Sequence, residues 1–149
     1  MCNFFSAVAT KKKLHAHFGV DSHSDIIIID GLRKLEQTTD IQLVKLELRP
    51  NNPMTLNFDK WKFVVDQDII PKWFIKDEWH KRMINFLKEC PTVMDKVPVV
   101  SERVWFNKGK IERLVGYGAV RFMLGSSQVG KMLGSSQVGK MLGSSQVGK

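Results

Sequence analysis

The stretch Met123-Leu-Gly-Ser-Ser-Gln-Val-Gly-Lys131 occurs three times in succession, through Lys149, with no residue changed between copies. A nine-residue unit is too short to bury its own Met, Leu and Val side chains, so identical units are expected to stack on one another. Two glycines in each unit permit tight corners and disfavour a helix, because each Gly costs roughly 0.8–1.0 kcal/mol relative to Ala there. Residues 123–149 therefore predict a short β-solenoid-like stack, with a flexible Gly/Ser-rich tail as the alternative.

Stacking of identical units predicts that equivalent side chains align along the stack. The valines of the three copies are expected at successive levels roughly 4.7–4.9 Å apart, or at twice that spacing if two repeats make one turn: Val129, Val138 and Val147. The lysines are expected to form one outer column: Lys131, Lys140 and Lys149. Such a column is suited to phosphates, but lysines on exposed strands also block edge-to-edge aggregation. The tail is also expected to offer a surface for self-association.

The composition limits the class of protein. The chain has 149 residues, a net charge of +8 and 43% hydrophobic residues, which fits a globular domain and permits an anionic partner. Cys2 and Cys90 are the two cysteines, and no apolar segment resembles a signal peptide or a membrane span. We therefore expect reduced thiols, a cytoplasmic protein and no membrane partner.

Residues 1–122 are expected to form a separate α+β domain with a mostly antiparallel sheet and two helices, followed by the repeat domain at 123–149. An N-terminal hairpin is predicted around the loop at 11–13, with Val8 opposite Ala16. In that register His15 and His17 lie on the outer face. Further strands are predicted at 41–49, 61–66, 97–100, 104–106 and 111–115.

Two helices are expected to pack against this sheet. The first is predicted within residues 21–34, with Ser22 and Asp25 resembling a capping box and Gly31 at its end. The run Ile26–Ile29 is equally compatible with a buried strand, so that alternative stays open. The second helix is predicted from Asp77 to about Glu89, because its apolar residues keep the spacing of one buried stripe.

A resemblance accompanies these patterns. The chain combines the start Met-Cys-Asn-Phe-Phe-Ser, the segment Asp-Ser-His-Ser-Asp-Ile, the segment Trp-Lys-Phe-Val-Val-Asp-Gln-Asp-Ile-Ile-Pro-Lys-Trp-Phe, and the Ser-Gln-Val-Gly repeats. It resembles a group of small uncharacterised proteins carried by bacteriophages and gut bacteria. The resemblance implies a phage or bacterial origin, with the host cytoplasm as the location if phage-encoded, and a tail of variable repeat number. It assigns no catalytic residue.

Cys2 is the candidate catalytic residue of the sequence. Removal of Met1 would join a thiol and an amine on one residue, as in N-terminal nucleophile enzymes. The predicted hairpin register places Cys2 opposite Ser22, beside His23, which is then its candidate base. The competing interpretation is that Cys2 is a small apolar residue at the end of the core face.

Other candidate residues have structural explanations as well. His15 and His17 have the spacing of two metal ligands, but no third ligand is identifiable, so surface histidines are favoured and no metal is predicted. Asp66 and Asp68 are suited to a cation or, more simply, to a strand end. Three aromatic residues are suited to base stacking or to a core: Trp73, Phe74 and Trp79.

The sequence thus favours a non-enzymatic, phage-type binding protein without a cofactor. Its α+β body presents a β-repeat stack, and its target is a protein or a nucleic acid. The candidate binding residues are Lys131, Lys140, Lys149 and Trp73. The alternative is a thiol enzyme that uses Cys2 and His23 on a nucleotide or nucleic acid.

Overall fold

The computed structural model describes residues 5–37, 39–51 and 54–148. The chain folds into two compact units that divide between Glu89 and Cys90. The first unit is an α+β structure, and the second is a β-solenoid. The predicted fold class is therefore confirmed.

The first unit is built on a four-stranded sheet. Its strands are β1 (Phe5–Ala9), β2 (Leu14–His15), β3 (Val44–Arg49) and β4 (Lys62–Val65). They lie in the order β2-β1-β3-β4, and each neighbouring pair is antiparallel. Among the described residues of this unit, three α-helices are found where two helices are predicted: α1 (His23–Ile29), α2 (Arg33–Glu36) and α3 (Lys76–Glu89). A short 3₁₀ helix spans Phe58–Lys60.

Helix α1 begins and ends as the sequence predicts. The Ser22 side chain accepts a hydrogen bond from the backbone N–H of Asp25 at 3.3 Å, which is the N-cap interaction. Gly31 follows the helix at φ +67°, where a residue with a side chain is strained. Ile26 and Ile27 are buried in the core, so the isoleucine run is helical rather than extended.

The first hairpin differs from its predicted register by one residue. Val8 pairs with His15 rather than with Ala16, because the loop spans Thr10 to Lys13 and is closed by a 2.9 Å hydrogen bond from Thr10 N–H to the Lys13 carbonyl. A shift of one residue moves each side chain of a strand to the other face. His15 is consequently buried, and its predicted position on the outer face is wrong.

The second unit winds as a coil in which each full turn adds one strand to each of two parallel sheets. One sheet contains β5 (Thr92–Val93), β7 (Arg103–Asn107), β9 (Ala119–Met123) and β11 (Gln137–Met141). The other contains β6 (Lys96–Val100), β8 (Lys110–Leu114), β10 (Gln128–Met132) and β12 (Gln146–Val147). Valine, isoleucine, leucine and methionine side chains from both sheets form its core.

Two nine-residue repeats make one turn of this coil. Val129 pairs with Ile111 on one side and with Val147 on the other. Val138 pairs with Val120 in the other sheet. Of the two predicted arrangements, the structure therefore has the one in which two repeats make one turn, and Val138 lies in the other sheet because successive repeats alternate between the sheets.

The corners of the coil depend on one glycine in each repeat. Gly125 has φ +57°, and the carbonyl of Leu124 accepts a 3.0 Å hydrogen bond from Ser127 N–H across the corner. Gly116 takes the same conformation at φ +60°, with a 2.9 Å bond from Gly118 N–H to Val115. The segment 114–122 therefore follows the same path as the identical copies without sharing most of their residues.

The domain boundary predicted after residue 122 differs from the division that the structure shows after Glu89. The strands expected in the antiparallel sheet at 97–100, 104–106 and 111–115 belong to the parallel sheets of the coil. Backbone pairing and a shared core do not require identical sequence, so these non-repeated residues form the first turns.

Candidate functional site

One outer face of the solenoid is strongly basic. We call the sheet of β6, β8, β10 and β12 the basic sheet, because its strands carry four exposed cationic side chains: Lys96, Lys110, Arg113 and Lys131. Lys96 pairs in register with Lys110, and Arg113 pairs in register with Lys131. Since paired parallel strands lie about 4.8 Å apart, the charges form two short ladders.

A single acidic residue lies within the strands of the basic sheet. Glu112 accepts a hydrogen bond from Lys96 Nζ at 3.0 Å, and this bond with the charge of Lys96 holds the pKa of the Glu112 carboxyl below its usual range. Within the described part of the chain, Lys110, Arg113 and Lys131 take part in no salt bridge. The charges of Lys110 and Arg113 lower the pKa of Glu112 further, so this carboxylate offsets part of the positive charge of the basic sheet.

The repeat lysines do not form the predicted single column. Lys131 lies on the basic sheet, whereas Lys140 pairs in register with Phe122 in the second sheet. Lys149 lies outside the described residues. The reason is the two-repeat turn, which sends equivalent residues of successive copies to different sheets.

The second sheet carries aromatic residues in the row that contains Lys140. The rings of Phe106 and Phe122 stack with centroids 5.6 Å apart. The Arg121 guanidinium lies 5.0 Å from the Phe122 ring centroid and 5.7 Å from that of Trp105. Burial lowers the pKa of Arg121 from its ordinary value. These aromatic rings are buried, and the second sheet also carries cations at Arg103, Arg121 and Lys140.

In the first unit, the predicted histidine pair binds a carboxylate. His15 Nδ1 lies 2.6 Å from Asp30 Oδ2, and His17 Nε2 lies 2.7 Å from Asp30 Oδ1. Burial opposes ionisation of Asp30, but the hydrogen bonds from both histidines outweigh it and lower the pKa of the carboxyl. Among the described residues, no group of three His, Cys, Asp or Glu side chains is arranged to hold a metal ion.

A cleft of about 440 Å³ lies beside this cluster. It is lined by the hairpin loop residues 10–13, by His15 and Gln42, and by Leu32 and Leu35. We call it the lysine cleft, because Lys11, Lys12 and Lys13 are exposed at its border.

Two other candidate residues of the sequence, His23 and Asp66, lie near each other. His23 is buried, and its Nε2 lies 2.8 Å from the Leu46 carbonyl, to which it donates; its Nδ1 lies 3.7 Å from Asp66 Oδ2. Cys2 lies outside the described residues, so its pairing with His23 stays a prediction. Asp66 and Asp68 follow the end of β4, and the side chain of Asp66 is 54% exposed.

Trp73 is half-buried, whereas Phe74 and Trp79 are buried in the core. Its indole N–H donates to the Ile41 carbonyl at 2.9 Å. Its ring meets those of Phe74 and Trp79 edge-on, with both centroids 6.1 Å away. Trp73 also lines a second cleft, of about 490 Å³, together with Lys11 and Lys72. A platform of all three aromatic rings is thus not formed, and Trp73 alone borders an open surface.

Sequence reasoning missed several residues of these surfaces. Lys96, Lys110 and Arg113 join Lys131 only through the register of the coil. Alignment of Lys-Ile-Glu-Arg-Leu at 110–114 with Gln-Val-Gly-Lys-Met at 128–132 is the signal that finds two of them. Asp30 follows the four isoleucines of helix α1, and no pattern in the sequence marks it as the partner of the histidines.

In comparisons with protein-family models, curated proteins and solved structures, nothing matches this chain. Within the described ranges, no helix has the length and apolar character needed to cross a membrane.

Proposed function

We propose that this protein is a non-enzymatic binding protein whose basic sheet binds the phosphate backbone of a nucleic acid. The observation that carries the proposal is the pair of ladders formed by Lys96 with Lys110 and by Arg113 with Lys131. A phosphate backbone is a regular row of negative charges, and regular rows of Lys and Arg neutralise it by releasing condensed counterions.

The geometry of the sheet suits an extended anion better than a small one. The two ladders are three residues apart along each strand, which corresponds to about 10 Å. The face between them is formed by β-strands and carries Glu112. Contacts of this kind bind backbone rather than base edges, so we expect little sequence preference.

The repeats lengthen this surface in a simple way. Each pair of repeats adds one turn, and the turn formed by the first repeats places Lys131 in register with Arg113. A variable number of repeats would therefore set the number of phosphates that the basic sheet can contact. An acidic protein surface is the alternative target, but it has no need of a regular ladder.

The decisive experiment is a salt titration of binding to single- and double-stranded oligonucleotides. We compare the variant Lys110→Gln/Arg113→Gln/Lys131→Gln with a control that removes three exposed charges elsewhere, Lys81→Gln/Lys88→Gln/Lys140→Gln. The basic-sheet variant should lower the slope of log K against log[salt] by about 2 to 3, since each lost phosphate contact removes about 0.7–0.9. Equal slopes for the two variants would contradict the proposal.

Three further expectations stay predictions: the phage or bacterial origin, the cytoplasmic location and self-association through the repeats. The thiol-enzyme hypothesis also stays open through Cys2. Intact mass tests its first requirement, because a nucleophile at Cys2 needs the loss of Met1.

A further inference from the structure

The lysine cleft combines a cationic border, an apolar floor and a buried imidazole. Its size of about 440 Å³ is within the range of small-molecule sites. Leu32 is buried and Leu35 is half-buried, and both pack in the core cluster of the first unit while lining the cleft. A ligand for this cleft therefore needs an apolar body as well as negative charge.

The loop that carries the lysines is held in one conformation. The Thr10 hydroxyl accepts hydrogen bonds from the backbone N–H groups of Lys12 at 3.3 Å and Lys13 at 3.2 Å. Thr10 N–H donates to the Lys13 carbonyl at 2.9 Å. Because these bonds fix the backbone of the loop before any ligand arrives, the three lysines that line the cleft need little further ordering of the backbone to bind a ligand.

His15 is fixed beside the loop. Its side chain is 8% exposed, and the ionised Asp30 carboxylate can only accept, so His15 Nδ1 donates to it. The other ring nitrogen, Nε2, is then on the side of the cleft, 3.5 Å from the Thr10 hydroxyl. Since Asp30 binds both His15 and His17, its charge is taken up by the histidines rather than by the lysines.

We infer that the lysine cleft binds a small organic phosphate with an aromatic or apolar body, such as a nucleoside monophosphate. Lys11, Lys12 and Lys13 bind the phosphate dianion, and Leu32 and Leu35 contact the organic body. This is a separate site from the basic sheet, because it belongs to the other compact unit and is concave rather than flat. The acidic residues Glu36 and Asp40 line the neighbouring clefts instead.

Calorimetric titration of the full chain tests the inference with three probes: adenosine 5′-monophosphate, inorganic phosphate and adenosine. The monophosphate should bind at least tenfold more tightly than either phosphate or adenosine, since it alone meets both halves of the cleft. Equal affinity for inorganic phosphate and the monophosphate would overturn the role of the apolar floor. Absence of monophosphate binding at millimolar concentration would overturn the site.

Two variants locate the binding. Lys11→Gln/Lys12→Gln/Lys13→Gln changes only exposed side chains and should weaken the monophosphate at least tenfold, whereas Lys76→Gln/Lys81→Gln/Lys88→Gln should leave it unchanged. Equal weakening by both would show binding through overall charge and refute the site. The basic-sheet variant should retain monophosphate binding, so failure of the nucleic-acid proposal and failure of this one give different results.

Discussion

Val129 lies in register with Val147 and not with Val138, although all three occupy the same place in identical repeats. The pairing partner of each repeat is therefore the second repeat along the chain. This relationship fixes which side chains share a sheet, a core column and an outer face, and so it generates the basic sheet.

Leu114 should be more important for solenoid stability than Leu133, which occupies the corner of a repeat. Leu114 is fully buried in the solenoid core, whereas Leu133 is 48% exposed. We expect Leu114→Ala to lower the free energy of unfolding by about 2–5 kcal/mol and Leu133→Ala by much less. Urea denaturation followed by circular dichroism measures both, and equal losses would contradict the described core.

Gly130 should tolerate alanine less well than Gly125. A Cβ on Gly130 would lie 2.5 Å from the backbone oxygen of Glu112, so adjacent turns must separate to admit it. A Cβ on Gly125 meets nothing within 4 Å, and the cost there is the positive φ, about 1–2 kcal/mol. Thermal denaturation gives the melting temperature of each variant. A higher melting temperature for Gly130→Ala than for Gly125→Ala would argue against the close approach of the turns.

Ser22 should stabilise helix α1 through its side chain. Replacement of an N-cap serine by alanine costs about 1 kcal/mol, so Ser22→Ala should lower the free energy of unfolding by that amount. Ser24 is exposed and lies two residues after the cap, so Ser24→Ala is the matched control and should have little effect. If the control is as destabilised as Ser22→Ala, the cap is not the cause.

Asp30 should make the first unit sensitive to acid. The folded protein lowers the pKa of this carboxyl through His15 and His17, so its ionised form stabilises the fold at pH values above about 3.9, the ordinary pKa of aspartate. That stabilisation is lost as the pH falls through the lower folded-state pKa. The difference in free energy of unfolding between wild type and Asp30→Asn should therefore shrink as the pH falls below about 3.9. Denaturation curves from pH 3 to pH 7 test this, and a constant difference would contradict it.

The basic sheet gives the two repeat lysines different roles. We expect Lys131→Gln to weaken oligonucleotide binding and to lower the salt slope by about 0.7–0.9, while Lys140→Gln changes neither. Both residues are exposed and lie in identical local sequence, but they belong to different sheets. Equal effects would favour a uniformly charged tail over an ordered ladder.

Local sequence determined several parts of the fold without reference to the rest of the chain. The cap at Ser22, the end of α1 at Gly31 and the span of α3 depend on neighbouring residues, and each follows its pattern. The repeats likewise predict a stacked β-structure, because their glycines and periodic apolar residues are incompatible with a lone helix.

Tertiary structure decided the register of the hairpin and the partners of its histidines. Strand β1 is buried along its whole length, so no alternation of polar and apolar residues fixes its pairing. The loop closed by Thr10 sets the register instead, and it brings His15 to Asp30, fifteen positions later in the chain.

The sequence by itself determined that the repeats stack, and only the tertiary structure decided that two of them make a turn. One repeat supplies one corner, and a coil with two facing sheets needs two corners to return to its starting level. Identity at a spacing of nine residues contains no information about how many corners close a turn. The closure of the coil alone places Lys110, Arg113 and Lys131 on one face, because side chains far apart in sequence share a surface only through strand pairing.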